Sequence, residues 1–198
     1  MTTNASLAES PMLDLLYPLS EFFQDHEPVP LAREETGGSR MPEPYRSLLV
    51  HDGDMTSTLE AFHREPITLR LLDKRRVGRA LLRKVVLIGR ETGRPLEFGA
   101  IRIDLSAFEP VARWAILAGR TPLGAILARF GVVYESRPRL FFRLESDERI
   151  ERKLEIARTA PDRPATLFGR QNVLSDPAGR ALAEVVEILP PLASPAAR

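Results

Sequence analysis

Two long pairs of apolar segments, each pair joined by a short turn, constrain most strongly what this chain can fold into. In the middle of the chain, residues 79–90 (RALLRKVVLIGR) and 96–105 (LEFGAIRIDL) flank the turn sequence ETGR. Near the end, residues 165–174 (ATLFGRQNVL) and 180–189 (RALAEVVEIL) flank the turn sequence DPAG. Branched apolar runs separated by a few turn-forming residues are typical of β-hairpins, whose strands run antiparallel.

Helical signals lie before and between the two predicted hairpins. A capping box at Ser57 and Glu60 predicts a helix over residues 55–64. Periodic apolar residues predict further short helices at 44–51, 106–118 and 123–130, the charged segment 147–158 is compatible with another, and additional strands are expected at 67–72 and 140–144. These elements together indicate an α+β domain with a single antiparallel sheet and helices gathered on one side.

The expected domain spans residues 44–191. Residues 1–43 are predicted to form an N-terminal extension, with a short helix between Met12 and Phe23 and a mobile linker rich in proline and glycine over 26–43. Residues 192–198, which follow two consecutive prolines, are expected to be a disordered tail.

Composition excludes several functional classes. The chain of 198 residues has no cysteine, which excludes disulfides, thiolate metal sites and cysteine nucleophiles. Its net charge of +1 provides no global field for recruiting nucleic acid or a membrane surface. It has neither a signal peptide nor an apolar stretch of membrane-spanning length, so a cytoplasmic location is expected. The His51-Asp52 pair lacks a further histidine at ligand spacing, and no phosphate-binding or dinucleotide-binding motif is present, so neither metal nor cofactor is expected.

Three charged residues stand out because each lies in an apolar strand. Arg83 shares a strand face with Leu81 and Val85, and it needs a partner because an unpaired buried charge is very costly. That partner is either a carboxylate of the sheet or the carboxylate of a ligand. Glu187 either pairs with an arginine or serves as a ligand-binding or catalytic carboxyl with a raised pKa. Arg170 either faces solvent or joins the same site.

Several short motifs occur in a fixed order along the chain. They are YRSLL at 45–49 with DMTSTLE at 54–60, RALLR at 79–83, TPLG at 121–124, LFGR at 167–170 and EILP at 187–190. Their order and spacing resemble those of the chorismate pyruvate-lyase family over about residues 45–191. The resemblance implies one antiparallel sheet with helices covering an internal ligand pocket. It also implies a cofactor-free reaction that removes pyruvate from chorismate and leaves 4-hydroxybenzoate.

The same resemblance implies roles for individual residues. Arg83 would hold the ring carboxylate, and Glu187 would lie near the 4-hydroxyl at the far end of the ring as an acid or base. Met55 and Leu123 would line the pocket and its lid.

Chorismate carries two carboxylates, so a second cation is required. Many members of the resembled family have an arginine where this chain has Ala100. Arg102 lies two residues further along the strand, hence on the same face, and is the first candidate for binding the pyruvyl carboxylate. Arg170 is the second candidate. The alternative is that Arg102 forms a surface ion pair with Asp104 or Glu97.

Three functional hypotheses follow from these observations. The preferred one is an enzyme, a carbon–oxygen lyase acting on chorismate, and another is a related enzyme acting on a different chorismate-like acid. The alternative is a non-catalytic module of the same fold that binds a small aromatic carboxylate, since this fold also resembles the effector domains of some bacterial transcription regulators. Those regulators carry a winged-helix DNA-binding domain ahead of the sensor, and residues 1–43 are too short and too interrupted by proline to form one. The expected partner is therefore a small molecule, with neither nucleic acid nor membrane.

Overall fold

A seven-stranded sheet, in which all neighbouring strands run antiparallel, organises the chain. The computed structural model describes residues 14–23, 33–157 and 164–192. The strands are β1 (Arg33–Thr36), β2 (Ile67–Val77), β3 (Ala80–Gly89), β4 (Pro95–Asp104), β5 (Glu135–Glu145), β6 (Thr166–Ser175) and β7 (Ala181–Leu189). Their order across the sheet is β1-β5-β6-β7-β4-β3-β2. The predicted α+β class with a single antiparallel sheet is confirmed, and both predicted hairpins are present as β3–β4 and β6–β7.

Five short helices accompany the sheet in the described ranges. They are α1 (Tyr45–Leu49), α2 (Met55–His63), α3 (Pro110–Ala118), α4 (Leu123–Arg129) and α5 (Glu148–Leu154). Turns of 3-10 helix occur at Leu19–Phe22, Gly38–Arg40 and Leu105–Ala107. None of the helices in these ranges is both long and apolar enough to cross a membrane.

The N-cap residue of α2 and the start of α3 differ from the sequence prediction, each for a local reason, whereas α2 begins at residue 55 as predicted. Asp54, and not Ser57, is the N-cap of α2, because the Asp54 carboxylate accepts a hydrogen bond of 2.9 Å from the backbone N–H of Ser57. Glu60 instead accepts a hydrogen bond from the backbone N–H of Ile67. The helix predicted from residue 106 begins at Pro110, since proline lacks the N–H that the first helical position leaves unpaired.

Parts of the predicted N-terminal extension belong to the folded domain. Strand β1 pairs with β5 at one edge of the sheet, so the linker predicted over 26–43 is wrong at these positions. Leu16, Leu19 and Phe22 are buried against the sheet, and a 3-10 turn at Leu19–Phe22 stands where a short helix was predicted. Residues 1–13, 24–32 and 193–198, including most of the predicted disordered tail, lie outside the described residues.

The two faces of the sheet are covered by different segments. One face packs Leu82, Val86 and their neighbours against residues 14–23 and α5. The other face is covered by α1 to α4, and its apolar residues form two separate clusters: one packs against α3 and α4, the other against α1 and α2. Buried charged side chains of the strands lie on this helix-covered face, and they define the candidate site.

Candidate functional site

A cavity of about 80 Å³ lies between the helix-covered face of the sheet and the first residues of α2 and α4. Four of the residues predicted for a binding site line it, namely Arg83, Glu187, Met55 and Leu123. The remaining lining is mostly apolar, with the polar residues Asp54, Thr56, Glu97, Tyr134 and Asn172. These four residues therefore lie around one cavity, which Glu97, Tyr134 and Asn172 also line although no binding role was predicted for them.

Strand register explains how distant segments converge here. Gly99 of β4 pairs with Val85 of β3 and with Glu187 of β7, and Glu187 pairs with Arg170 of β6. Arg83 lies two residues before Val85 on the same strand face, about 7 Å along the strand. The site is thus built on four adjacent strands, which hold its charged side chains on a rigid surface.

Arg83 is buried and has no carboxylate partner among the residues that the structure describes. Only 1% of its surface is exposed. Within the described residues its one hydrogen bond runs from Nη1 to the backbone oxygen of Thr121 at 3.3 Å, and its Nε has no hydrogen-bond partner. Burial lowers the pKa of Arg83 to about 10, which leaves the guanidinium charged at neutral pH. The salt bridge to the sheet, considered as an alternative from the sequence, is not formed.

Arg170 and Glu187 form a buried ion pair instead. Arg170 donates from Nε to the Glu187 carboxylate at 2.5 Å and from Nη1 to the backbone oxygens of Leu49 and His51, each at 2.9 Å. Arg170 is completely buried, so the solvent-facing alternative is wrong. These bonds fasten the loop between α1 and α2 to the sheet, and through it the start of α2 at the cavity. Arg170 itself does not line the cavity, and its donors already have partners.

Glu97 is a second buried carboxyl beside this pair. Its Oε2 has no hydrogen-bond partner in the described part of the chain. Its Oε1 lies only 3.2 Å from where a Cβ on Gly99 would be, and such a Cβ would also collide with the backbone oxygen of Val186. Glycine at position 99 therefore gives the Glu97 carboxyl its space. Burial, and secondarily the nearby Glu187 carboxylate, raise the pKa of Glu97 well above its usual value, which favours the protonated form.

Arg102 lies outside the cavity. It shares its strand face with Ala100, as predicted, but that face packs toward residues 14–23 and α5. Its guanidinium forms an ion pair of 3.5 Å with Glu184, and 38% of the side chain is exposed. Arg102 therefore does not supply the predicted second cation at the site. Strand alternation predicts which residues share a face of the sheet, but it does not predict which face carries the cavity.

The resulting charge distribution suits one small anion. The cavity contains one cation without an anionic partner, Arg83, while the positive charge of Arg170 is matched by Glu187. A second carboxylate placed beside Glu97 and Glu187 would meet no free cation among the residues described there. In the described ranges no three histidine, aspartate or glutamate side chains are grouped so that they could hold a metal ion.

Comparisons with known proteins give structural similarity alone. No protein-family model matches the sequence, and no curated protein matches it. Among solved structures, the chain is similar to PhnF from Mycobacterium smegmatis, at a TM-score of 0.54 and 13% identity, over 71% of this chain and 64% of PhnF. The aligned part is thus slightly less than two thirds of PhnF.

Two further similar structures are single domains. The effector domain of the same PhnF aligns at a TM-score of 0.52 and 14% identity, over 69% of this chain and 88% of that domain. A ligand-binding domain from Bordetella bronchiseptica, assigned to the GntR family of transcriptional regulators, aligns at a TM-score of 0.45 and 14% identity, over 63% of this chain and 85% of that domain.

The prediction of a lyase is corrected by these findings. The similar structures with a TM-score above 0.5, PhnF and its effector domain, are parts of a transcriptional regulator and not lyases. In the structure Glu187, which was predicted to act as an acid or base, is paired with Arg170, and Arg102, the first candidate for a second cation, is paired with Glu184. The absence of a nucleic-acid partner stays a prediction. What this chain shares with the ligand-binding domains of GntR-family regulators is their fold, which is chorismate lyase-like.

Proposed function

We propose that this chain is a non-catalytic ligand-binding domain whose ligand is a small organic acid, held through its carboxylate by Arg83. The observation that carries the proposal is the isolation of Arg83, a buried cation on the wall of a cavity with no carboxylate partner among the described residues. A guanidinium in an apolar wall is costly unless an anion compensates it, and a ligand carboxylate would do so with two parallel hydrogen bonds.

The surroundings of Arg83 support a bound anion over a structural role. Its neighbours across the sheet are Ile101 of β4 and Lys74 of β2, and Val85 follows it on the same strand face; none of the three can compensate a positive charge. Its unpaired Nε is one of the two donors that a bidentate carboxylate contact would use. The similarity to an effector domain and to a ligand-binding domain of regulators supports a binding role of this kind.

The size of the cavity favours a short aliphatic acid. Its volume of about 80 Å³ is well below the roughly 150 Å³ of an engineered apolar cavity that admits benzene. An aromatic carboxylate, the ligand class expected from the sequence, would require the starts of α2 and α4 to move away from the sheet. Propanoate and butanoate are therefore better first probes than benzoate.

Binding of short acids measured by NMR and calorimetry tests the proposal. The wild-type protein is expected to bind propanoate or butanoate and to bind the corresponding neutral amides far more weakly. Arg83→Met is expected to weaken binding of the acids by about tenfold to a hundredfold, because a hydrogen bond to a charged group contributes about 1.5–3 kcal/mol. Methionine retains a long unbranched side chain without the charge.

Arg102→Met is the matched control, since it removes the same charge from the opposite face of the sheet. This variant should bind the acids like the wild type. Equal affinity of the wild type and Arg83→Met for every acid tested would contradict the proposal, as would equal affinity for acids and amides.

A further inference from the structure

Two buried groups of opposite charge type line the same cavity, and each has a polar atom without a partner. Arg83 has an unpaired Nε, and Glu97 has an unpaired Oε2, among the residues that the structure describes. Both residues are at most 4% exposed, so bulk water does not supply a hydrogen bond to either atom. Asn172, which also lines the cavity, has a third such atom, Oδ1, among the described residues. Buried polar atoms normally have hydrogen-bond partners, and three exceptions in one small cavity point to a ligand that contacts them.

Arg83 and Glu97 do not compensate each other. No nitrogen of Arg83 lies within 4.0 Å of a carboxylate oxygen in the described ranges. In the register of β3 and β4, Arg83 lies opposite Ile101 and Glu97 lies opposite Leu87. The backbone positions of Arg83 and Glu97 are therefore at different ends of the cavity wall. The Glu97 carboxyl folds back over Gly99, in the direction of Arg83. Both groups line the cavity, and its other lining residues are mainly apolar and include Val85.

From this arrangement we propose that the ligand is an acid that also carries a basic nitrogen, with its carboxylate on Arg83 and its ammonium group on Glu97. The inference rests on the proposed function and adds the second recognition element of the same site. A zwitterion of this kind supplies an anion to the unpaired cation and a cation to the unpaired carboxyl. The complex then has two compensated ion pairs with the ligand, beside the Arg170–Glu187 pair that is already present.

Proton release is a direct consequence of this binding mode. Burial and Glu187 favour the protonated form of Glu97 in the free protein. An ammonium group at hydrogen-bond distance lowers the pKa of a carboxyl, so Glu97 loses its proton when the ligand binds. The O–H bond of Glu97 breaks, the proton passes to the solvent, and the carboxylate accepts an N–H hydrogen bond from the ligand. Binding of the same acid without the nitrogen leaves Glu97 protonated and releases no proton.

A hydroxy acid is the main rival ligand, because a neutral Glu97 can donate a hydrogen bond to a hydroxyl group or accept one from it. The two ligand classes differ in proton linkage and in their dependence on the Glu97 charge. An acid with a second carboxylate is disfavoured, since that group would lie next to Glu97 and Glu187.

Calorimetry with matched probes tests the inference on the whole chain. The probes are 3-aminopropanoate and 4-aminobutanoate, compared with propanoate, butanoate and the corresponding terminal hydroxy acids. At about pH 6, where the amines are fully charged, an amino acid of fitting length should bind at least about tenfold more tightly than its parent acid. Titrations in two buffers of different ionisation enthalpy should show release of about one proton for the amino acid and none for the parent acid.

Glu97→Gln removes the ionisable group while keeping its shape. In this variant the affinity ratio between amino acid and parent acid should fall to about one, and proton release should disappear. Glu184→Gln, on the opposite face of the sheet, is the control and should keep both the ratio and the proton release. If Glu97→Gln does not fold, the proton count in the wild type decides the question.

The possible outcomes separate the two proposals. Binding of parent acids without preference for either amino acid, or a preference for the hydroxy acids without proton release, would overturn this inference and leave the proposed function intact. Failure of all the acids to bind would overturn both. Tighter binding of an amino acid with proton release that depends on Glu97 supports the inference.

Discussion

Arg170→Met is expected to destabilise the folded chain by about 3–5 kcal/mol, the usual effect of removing one partner from a buried ion pair. The substitution leaves the Glu187 carboxylate buried without its cation and removes the donors to the backbone oxygens of Leu49 and His51. The loop between α1 and α2 then loses its attachment to the sheet. Chemical denaturation without ligand, followed by circular dichroism, measures the change in the free energy of unfolding.

A surface pair on the neighbouring strand provides the control for this result. Arg143 of β5 pairs with Glu34 at 2.7 Å, with both side chains more than half exposed. Arg143→Met should therefore change stability by less than about 1 kcal/mol. The double variant Arg170→Met/Glu187→Met should recover part of the loss, because no buried charge remains unpaired. An Arg170→Met protein as stable as the wild type would show that the pair does not hold the loop.

Arg83→Met is expected to have the opposite effect and to stabilise the ligand-free chain. Burial lowers the pKa of Arg83 from its usual value, which applies in the unfolded chain, to about 10. The folded state therefore disfavours the charged form of Arg83. This free-energy penalty is complete below about pH 10 and becomes smaller as the pH rises toward the pKa of Arg83 in the unfolded chain. At about 1.36 kcal/mol for each pKa unit, this disadvantage amounts to roughly 3 kcal/mol at neutral pH. Methionine removes it, while the lost hydrogen bond to Thr121 offsets only part of the gain.

The same denaturation experiment at neutral pH measures this gain. Arg102→Met, which removes an equal charge from a partly exposed ion pair, should change stability by less than about 1 kcal/mol. Together with the expected loss of acid binding, a more stable Arg83→Met protein would identify Arg83 as a residue whose buried charge serves binding at the expense of stability. Clear destabilisation would instead mean that the guanidinium has a structural role.

Hairpin patterns predicted the centre of the sheet well, whereas its edge could not be predicted. The apolar runs that form β3, β4, β6 and β7 are buried on both faces, which gives a strong local signal. Strand β1 has the sequence REET, with no apolar alternation, and it is a strand only because the backbone of β5 pairs with it. That contact joins segments about a hundred residues apart, so no local pattern contains it.

The site was predicted in part because a charge in an apolar strand is a local anomaly. That criterion found Arg83 and Glu187, and the same criterion would have found Glu97, which lies on the same strand face as Ile101. It could not decide which charges pair with each other. The pairing of Arg170 with Glu187 depends on the register of β6 against β7, and the isolation of Arg83 depends on the absence of a carboxylate across β4.

Crystals of the wild-type protein grown with 3-bromopropanoate test the central role of Arg83 most directly. The chain has no cysteine that this compound could alkylate, and anomalous scattering locates its bromine independently of the carboxylate. We expect the carboxylate oxygens at about 2.7–2.9 Å from the Arg83 guanidinium nitrogens. The bromine should lie in the cavity, on the side of Glu97. Bromine bound only elsewhere, or a carboxylate directed away from Arg83, would contradict the assignment of this cavity as the ligand site.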